Sequence, residues 1–260
     1  MNFRLLTPIL IVGGLIVGMP LAVEVGRRIG ARGGGAESGK TQPGLGPIQG
    51  AAFSLLGLLL AFTLNGAASR FDSRRMLIVD EANAIGTAYL RVDLLAPSAQ
   101  PAIRDLFRRY LDSRLAAERS LPDLQAALAA IAEAERLQGE IWTRVLAATH
   151  LADSHADAAK LLIPTLNQMF DTSSTRTMSA RAHPPPSIFG LLFGLSLLCS
   201  LLAGFGMAKG RRRSLLHTIG FTLSTAAVVY IILEVEYPRF GLIRISDFDT
   251  VLTDLRAKMN

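Results

Sequence analysis

Residues whose types do chemistry are scattered along this 260-residue chain, and their spacing argues against most chemistries. His150, Asp153, His155 and Asp157 resemble a zinc set, but histidines five apart point to different helix faces and no third strong ligand is near. Gly39-Lys40-Thr41 has the ending of a phosphate loop without its upstream glycine spacing or the strand before it. No serine or cysteine nucleophile has an evident base and orienting acid. Cys199, the single cysteine, lies in an apolar run, which excludes an intramolecular disulfide and a thiolate metal cluster within one chain. The residues therefore predict no catalytic group, no metal site and no cofactor, and the chain reads as a non-enzyme.

A second set has the spacing for helix-to-helix contact. Asp80, Glu81, Asn83, Thr87 and Arg91 form the most polar part of a long helical pattern. Asp80, Asn83 with Thr87, and Arg91 share one face, which favours an interhelical polar network over a ligand site. Gly190 and Gly194 have the small-xxx-small spacing that lets helices approach closely.

The elements that must position these groups follow from composition. Half of the residues are hydrophobic, 18% are charged, and the mean hydropathy is +0.35, an unusual balance for a water-soluble fold. A pI near 10 raises nucleic acid as a partner, but neither a basic face interleaved with aromatics nor a binding motif is present. The excess hydrophobicity lies in four stretches long enough to cross a bilayer, each ended by charge. They run from about 5 to 23, 45 to 69, 187 to 208 and 215 to 233. The first also resembles a signal peptide, but Met19-Pro20-Leu21-Ala22 is a poor cleavage site and the stretch exceeds an h-region. It is retained as a span. His217 near the start of the fourth span is the one intramembrane imidazole, with backbone bonding its ordinary role and proton response the alternative.

These spans divide the chain. Residues 1–69 hold two N-terminal transmembrane helices and a Gly-rich connector from Gly30 to Pro47. Residues 70–186 form an extramembrane domain, 187–233 hold two C-terminal transmembrane helices, and 234–260 are a tail. The segment from Arg70 to Pro186 has 14 basic and 14 acidic residues, with apolar residues at helical spacing. Ile78, Ala82, Ile85, Tyr89, Val92 and Ala96 make one stripe, Ile103, Phe107 and Tyr110 a second, and Leu124, Leu128, Ile131, Ala134 and Ile141 a third. Breaks at 96–98, 120–122 and 149–154 give three or four amphipathic helices. Pro122 suits a first turn, whereas Pro164 must kink or end a helix. The fold class is an all-α integral membrane protein with four transmembrane helices flanking a central helical bundle.

The second span has no proline after Pro47 and leads into the first amphipathic stripe, which predicts one rod of roughly 65–70 Å. His183-Pro184-Pro185-Pro186 instead predicts an extended lead into the third span. With four spans, both termini and the central domain share one side. The short loops hold Arg27, Arg28, Arg32, Lys40, Lys209, Arg211, Arg212 and Arg213, and the opposite span ends hold as many basic residues. Density in the short loops favours placing them in the cytoplasm.

The run Leu56 to Thr63, with Ala67-Ala68-Ser69-Arg70-Phe71-Asp72, Arg75 and Glu81 to Arg91, resembles the signature of bacterial bestrophin-like membrane proteins. Leu166-Asn167-Gln168-Met169 with Asp171, Thr175 and Arg176, the His183-Pro184 pair, and the run Glu234 to Ile243 extend the likeness over nearly the whole chain. The resemblance implies a relation to bestrophins, pentameric anion channels with a pore-lining second span and a cytosolic large domain. It also implies an inner-membrane protein that assembles as a homo-oligomer, with chloride as the candidate permeant ion. The sequence departs from the expected pattern at Gln168, Glu234 and Glu236, and the calcium-holding acidic cluster of animal bestrophins is not found, so calcium gating does not carry over.

On that implication, span two supplies polar candidates Thr63 and Asn65, constriction candidates Phe53, Leu56, Leu60 and Phe62, and Arg70 and Arg74 as a basic pore mouth. The alternative is a helical membrane anchor or sensor whose central domain binds a protein partner without transport.

Overall fold

The computed structural model describes residues 3–32, 45–121, 123–209, 215–238 and 246–259. Gly33 to Gly44, including Gly39-Lys40-Thr41, and Pro122, Arg211, Arg212, Arg213 and Arg239 to Ile243 lie outside the described residues. Every regular element described is helical: α1 Phe3–Arg32, α2 Leu45–Arg91, α3 Gln100–Arg119, α4 Leu124–Ala148, α5 Ala158–Arg181, α6 Pro186–Gly206, α7 Leu215–Glu236 and α8 Ser246–Ala257. Four helices are long and apolar enough to cross a membrane, and they contain the four stretches expected from the sequence.

Two helices exceed their apolar stretches for local reasons. α1 continues past Val23 to Arg32, where Glu24 pairs with Arg27 and Arg28 at helical spacing (both 2.9 Å). The connector is therefore shorter than 30–47. α2 runs unbroken for 47 residues, about 70 Å, with Pro47 in its first turn, where no intrahelical N–H is needed. The chain clusters into two units, residues 1–70 with 183–237, and 71–182 with 238–260.

In the first unit, α1 and α6 run parallel and nearly touch. Gly14 lies by the Phe193 ring, Gly18 by Leu197, and Gly30 by Phe205. A Cβ on Gly26 would overlap the Leu201 carbonyl, and one on Gly204 the Val23 carbonyl, so only glycine permits this crossing. Gly190 and Gly194, expected to make the close contact, face open space instead. α2 runs antiparallel to α6, joined by Gln49 Nε2 to the Leu202 carbonyl (2.8 Å) and Cys199 Sγ to the Ala52 carbonyl (3.4 Å). α7 lies beside α2 through an edge-on Phe53–Phe221 pair (5.3 Å between centroids). Leu15 and Met19 on α1 meet Leu233 and Val229 on α7. Thus α1 and α6 run one way and α2 and α7 the other, as four sequential passes require.

The second unit packs the C-terminal part of α2 with α3, α4, α5 and α8. Ile78, Ile85, Phe107, Tyr110, Leu137, Ile141 and Leu162 are fully buried, each apolar side chain contributing roughly 1.5–3 kcal/mol. The first two predicted stripes face this core. The third does so only from Ala134 onward: Leu124 and Leu128 are exposed, and Ala127 takes the inward position. That turn lies close to α3, where Ser113 Oγ donates to the Ala130 carbonyl (2.9 Å), a fit that favours a small residue. Asp123 caps α4 by accepting from the amides of Gln125 and Ala126. Ser154 Oγ donates to the Ala148 carbonyl and accepts from the Ala96 amide, tying two turns together. Pro164 lies inside α5, which continues through it.

The C-terminal segment, read in the sequence only as a tail, contains a helix in this core. Leu252 and Met259 are buried, Tyr89 donates to the Met259 carbonyl (3.1 Å), and Arg256 pairs with Asp112 (2.7 Å).

Candidate functional site

Within the spanning part of α2, burial sorts the sequence candidates. Leu56 is buried against Leu195 and Cys199, with Phe53 and Leu60 packed partly on the same cluster. Thr63 is also buried, and its hydroxyl donates to the Leu59 carbonyl one turn back (2.7 Å). These four side chains pack within the first unit. Phe62 and Asn65 lie on the opposite face with Leu55 and Leu58, exposed to whatever surrounds the unit. Asn65 is about 7.5 Å along the helix from Arg70, within the span.

Arg70, expected at a pore mouth, turns into its own unit. Its Nε and Nη2 donate to Glu236 Oε2 (2.9 and 2.7 Å), and His183 Nδ1 lies 3.0 Å from Oε1. Glu236 has no exposed surface, and the His183 ring lies against Tyr237 (4.6 Å between centroids). A carboxylate placed there requires both neighbours, because an unpaired buried charge is expensive. Arg70 is thereby largely neutralised.

In the second unit, Arg74 is buried and caps α5. Its guanidinium donates to the carbonyls of Ser179 (3.3 Å) and Ala182 (2.8 Å) at the C-terminal end of the helix, where carbonyls run short of intrahelical donors.

The family-like polar run divides between two faces of α2. Asp80, Asn83 and Thr87 line an open groove of about 720 Å³, opposite Asn167, Gln168, Asp171, Thr172 and Thr175 of α5. Asp80 is exposed and has no ion-pair partner among the described residues. Arg91, one turn beyond Thr87, donates to Thr165 and to the Leu161 carbonyl (2.6 Å), in the turn that Pro164 loosens. Thr87 bonds back to the Asn83 carbonyl (2.8 Å). Asp80, Asn83 and Thr87 line one open wall, and the interhelical bonds of this run come from Arg91 and from Glu81.

Glu81 points the other way, into the core, with no exposed surface. Arg114 Nε donates to one of its oxygens (2.7 Å), Arg176 Nη1 donates to the other, and Arg176 Nη2 also reaches Glu118 (2.7 Å). Burial alone would raise the Glu81 pKa, but the two guanidiniums outweigh it and hold the carboxyl below its usual range. Burial, then the Glu81 charge, push the nearby Tyr110 hydroxyl up. Two arginines against two carboxylates make a neutral knot joining α2, α3 and α5. Sequence reading missed Arg114 as its partner, although the signal is present: Ile103, Phe107, Tyr110 and Arg114 continue one stripe, and a charge on an apolar stripe calls for a buried counter-charge.

Elsewhere, His155 Nδ1 accepts from the Asp157 amide (3.1 Å), so this imidazole closes a turn. His217 lines an apolar cavity at the end of the first unit. Among the described residues, no three His, Cys, Asp or Glu side chains group as a metal site.

A family model described as Bestrophin-like domain matches residues 21–248, which covers the last three spans, the knot and the groove. No curated protein and no solved structure matches the chain.

Proposed function

Because the chain belongs to the bestrophin-like family of membrane proteins, we propose that it assembles as a homo-oligomeric ion channel with α2 lining the path. The observation that carries this reading is the open face of α2 within the span, where the Asn65 carboxamide shares the surface with Leu55, Leu58 and Phe62. A carboxamide facing lipid loses hydrogen bonds that hydrocarbon cannot replace, so it calls for water or a neighbouring copy beside it. A pore supplies both. Phe62, one turn before Asn65, provides a hydrophobic constriction.

The fixed charge that α2 offers to this path is negative. Arg70 and Arg74 are held inside their units, Asp72 is paired with Arg75 (3.2 Å), and Asp80 is exposed without an ion-pair partner among the described residues. Repeated around an axis, Asp80 would favour cations, against the chloride preference implied by bestrophins. Recording from purified protein under a salt gradient tests both parts. Cation-shifted reversal potentials that collapse in Asp80→Asn support the reading. Chloride-selective currents indifferent to Asp80 refute the assigned sign, and silence from an inserted oligomer refutes conduction.

A second reading, a membrane-anchored sensor without transport, is favoured by the α2–α5 groove, whose amides, hydroxyls and two carboxylates suit a polar segment of a partner protein. A silent monomer that retains a partner through Asp80 and Asp171 would establish it.

A further inference from the structure

The first unit contains a feature that conduction does not use. Val23 of α1, Phe53 of α2, Ala203 and Met207 at the end of α6, and His217, Thr218 and Phe221 of α7 surround an open cavity of about 440 Å³. All four membrane helices contribute, and the volume falls within the usual range of ligand sites, about 300–1,000 Å³. Its walls are almost wholly apolar. A buried water needs two to four polar partners, and one imidazole and one hydroxyl at the rim supply too few to fill the space with water. The natural occupant is hydrocarbon.

Charge at the same end narrows the identity of that hydrocarbon. Beyond Val23, α1 continues with Glu24, Arg27, Arg28 and Arg32, and Arg27 lies one turn past Val23 on the same face. Glu24 engages Arg27 and Arg28, and with Arg32 this end of α1 carries three guanidiniums against one carboxylate. In the sequence, residues 24–44 and 207–214 carry eight basic and two acidic residues. An apolar cavity lined by residues near the ends of α6 and α7, with a basic helix end one turn away, suits a chain carrying a negative head.

We propose that this cavity binds an acyl chain of an anionic phospholipid, whose phosphate is met by the basic end of α1. His217 and Thr218 then act as headgroup-side polar contacts, which gives the intramembrane imidazole a role independent of proton response.

Native mass spectrometry of the full-length protein in detergent tests the proposal, with equimolar dioleoyl phosphatidylglycerol and dioleoyl phosphatidylcholine. Phosphatidylglycerol should be retained in preference, at one molecule per protomer. Arg27→Gln/Arg28→Gln/Arg32→Gln should weaken its retention by at least about tenfold, since each basic group near an anionic lipid contributes roughly fivefold. Ala203→Phe, which fills the cavity, should abolish retention of both lipids while oligomeric mass is preserved. Met207→Trp fills it from the other side should Ala203→Phe misfold. Equal retention of the two lipids, or a filled cavity that retains as much phosphatidylglycerol as the wild type, overturns the proposal.

Discussion

Replacing Glu81 by glutamine removes the charge at the centre of the second unit and nearly nothing else. Arg114 and Arg176 keep only 5% and 6% of their side-chain surface exposed, so neither guanidinium can turn to water without opening the core. Breaking a buried pair in this way costs about 3–5 kcal/mol. Glu118 still meets Arg176, and a carboxamide oxygen can accept one bond, which places Glu81→Gln near 3 kcal/mol on the same scale. For a unit of this size, that loss lowers the midpoint by roughly 10 °C. Trp142, the only tryptophan, packs against this core beside Phe170 and therefore reports on the unit that contains the knot. Thermal and urea unfolding of the full chain in micelles, followed by Trp142 fluorescence, supplies the assay.

Two controls sharpen the test. Because the folded carboxyl titrates below its unfolded value, its contribution is fully present above the ordinary glutamate pKa, about 4.3, and is lost as pH falls through the lower folded value. The wild type should therefore lose stability in acid by an amount that Glu81→Gln no longer shows. Replacing the charges together, as Glu81→Leu/Arg114→Met/Arg176→Met, should recover most of the loss, since an apolar core of similar volume needs no counter-charge. A Glu81→Gln midpoint within about 0.5 kcal/mol of wild type, the scale of an ordinary surface substitution, would refute the reasoning.

Gly204→Ala should destabilise the α1–α6 crossing by about 1–3 kcal/mol, whereas Gly194→Ala, with open space at its Cβ, should stay within about 0.5 kcal/mol, both read by melting in detergent. Arg70→Gln should lower stability by exposing the need of Glu236 for a partner, while leaving the permeability ratio in bilayers unchanged; a selectivity shift without destabilisation would restore Arg70 to the pore mouth. Phe62→Ala should raise unitary conductance and Leu56→Ala should instead reduce stability by about 2–5 kcal/mol, because only the first lies on the open face; equal effects on conductance would contradict that assignment.

Much of this fold was legible because helical periodicity and apolar run length are local signals. Ile78 to Ala96 and Ile103 to Tyr110 pointed inward as their spacing required, and the unbroken character of α2 followed from its lack of interior proline. What spacing does not carry is which face of an apolar helix meets protein and which meets lipid. Within span two apolar residues occupy every face, so Leu56 and Phe62 look alike in sequence although one is buried and the other is 67% exposed. Glycine spacing misled for the same reason: Gly190 and Gly194 repeat as neatly as Gly26 and Gly30, and only the neighbouring backbone separates them. The arginines show a different limit. Arg70 and Arg74 were assigned by their place next to the membrane, but Glu236, 166 residues away, and the end of α5 decide where they point.

Single-channel recording of the purified full-length protein in planar bilayers, with its mass in the same preparation fixed by native mass spectrometry, tests the central claim most directly. Conduction along the open face of α2 predicts an oligomer with discrete unitary currents that grow in Phe62→Ala and lose cation preference in Asp80→Asn. An inserted protein that stays monomeric and electrically silent would contradict it.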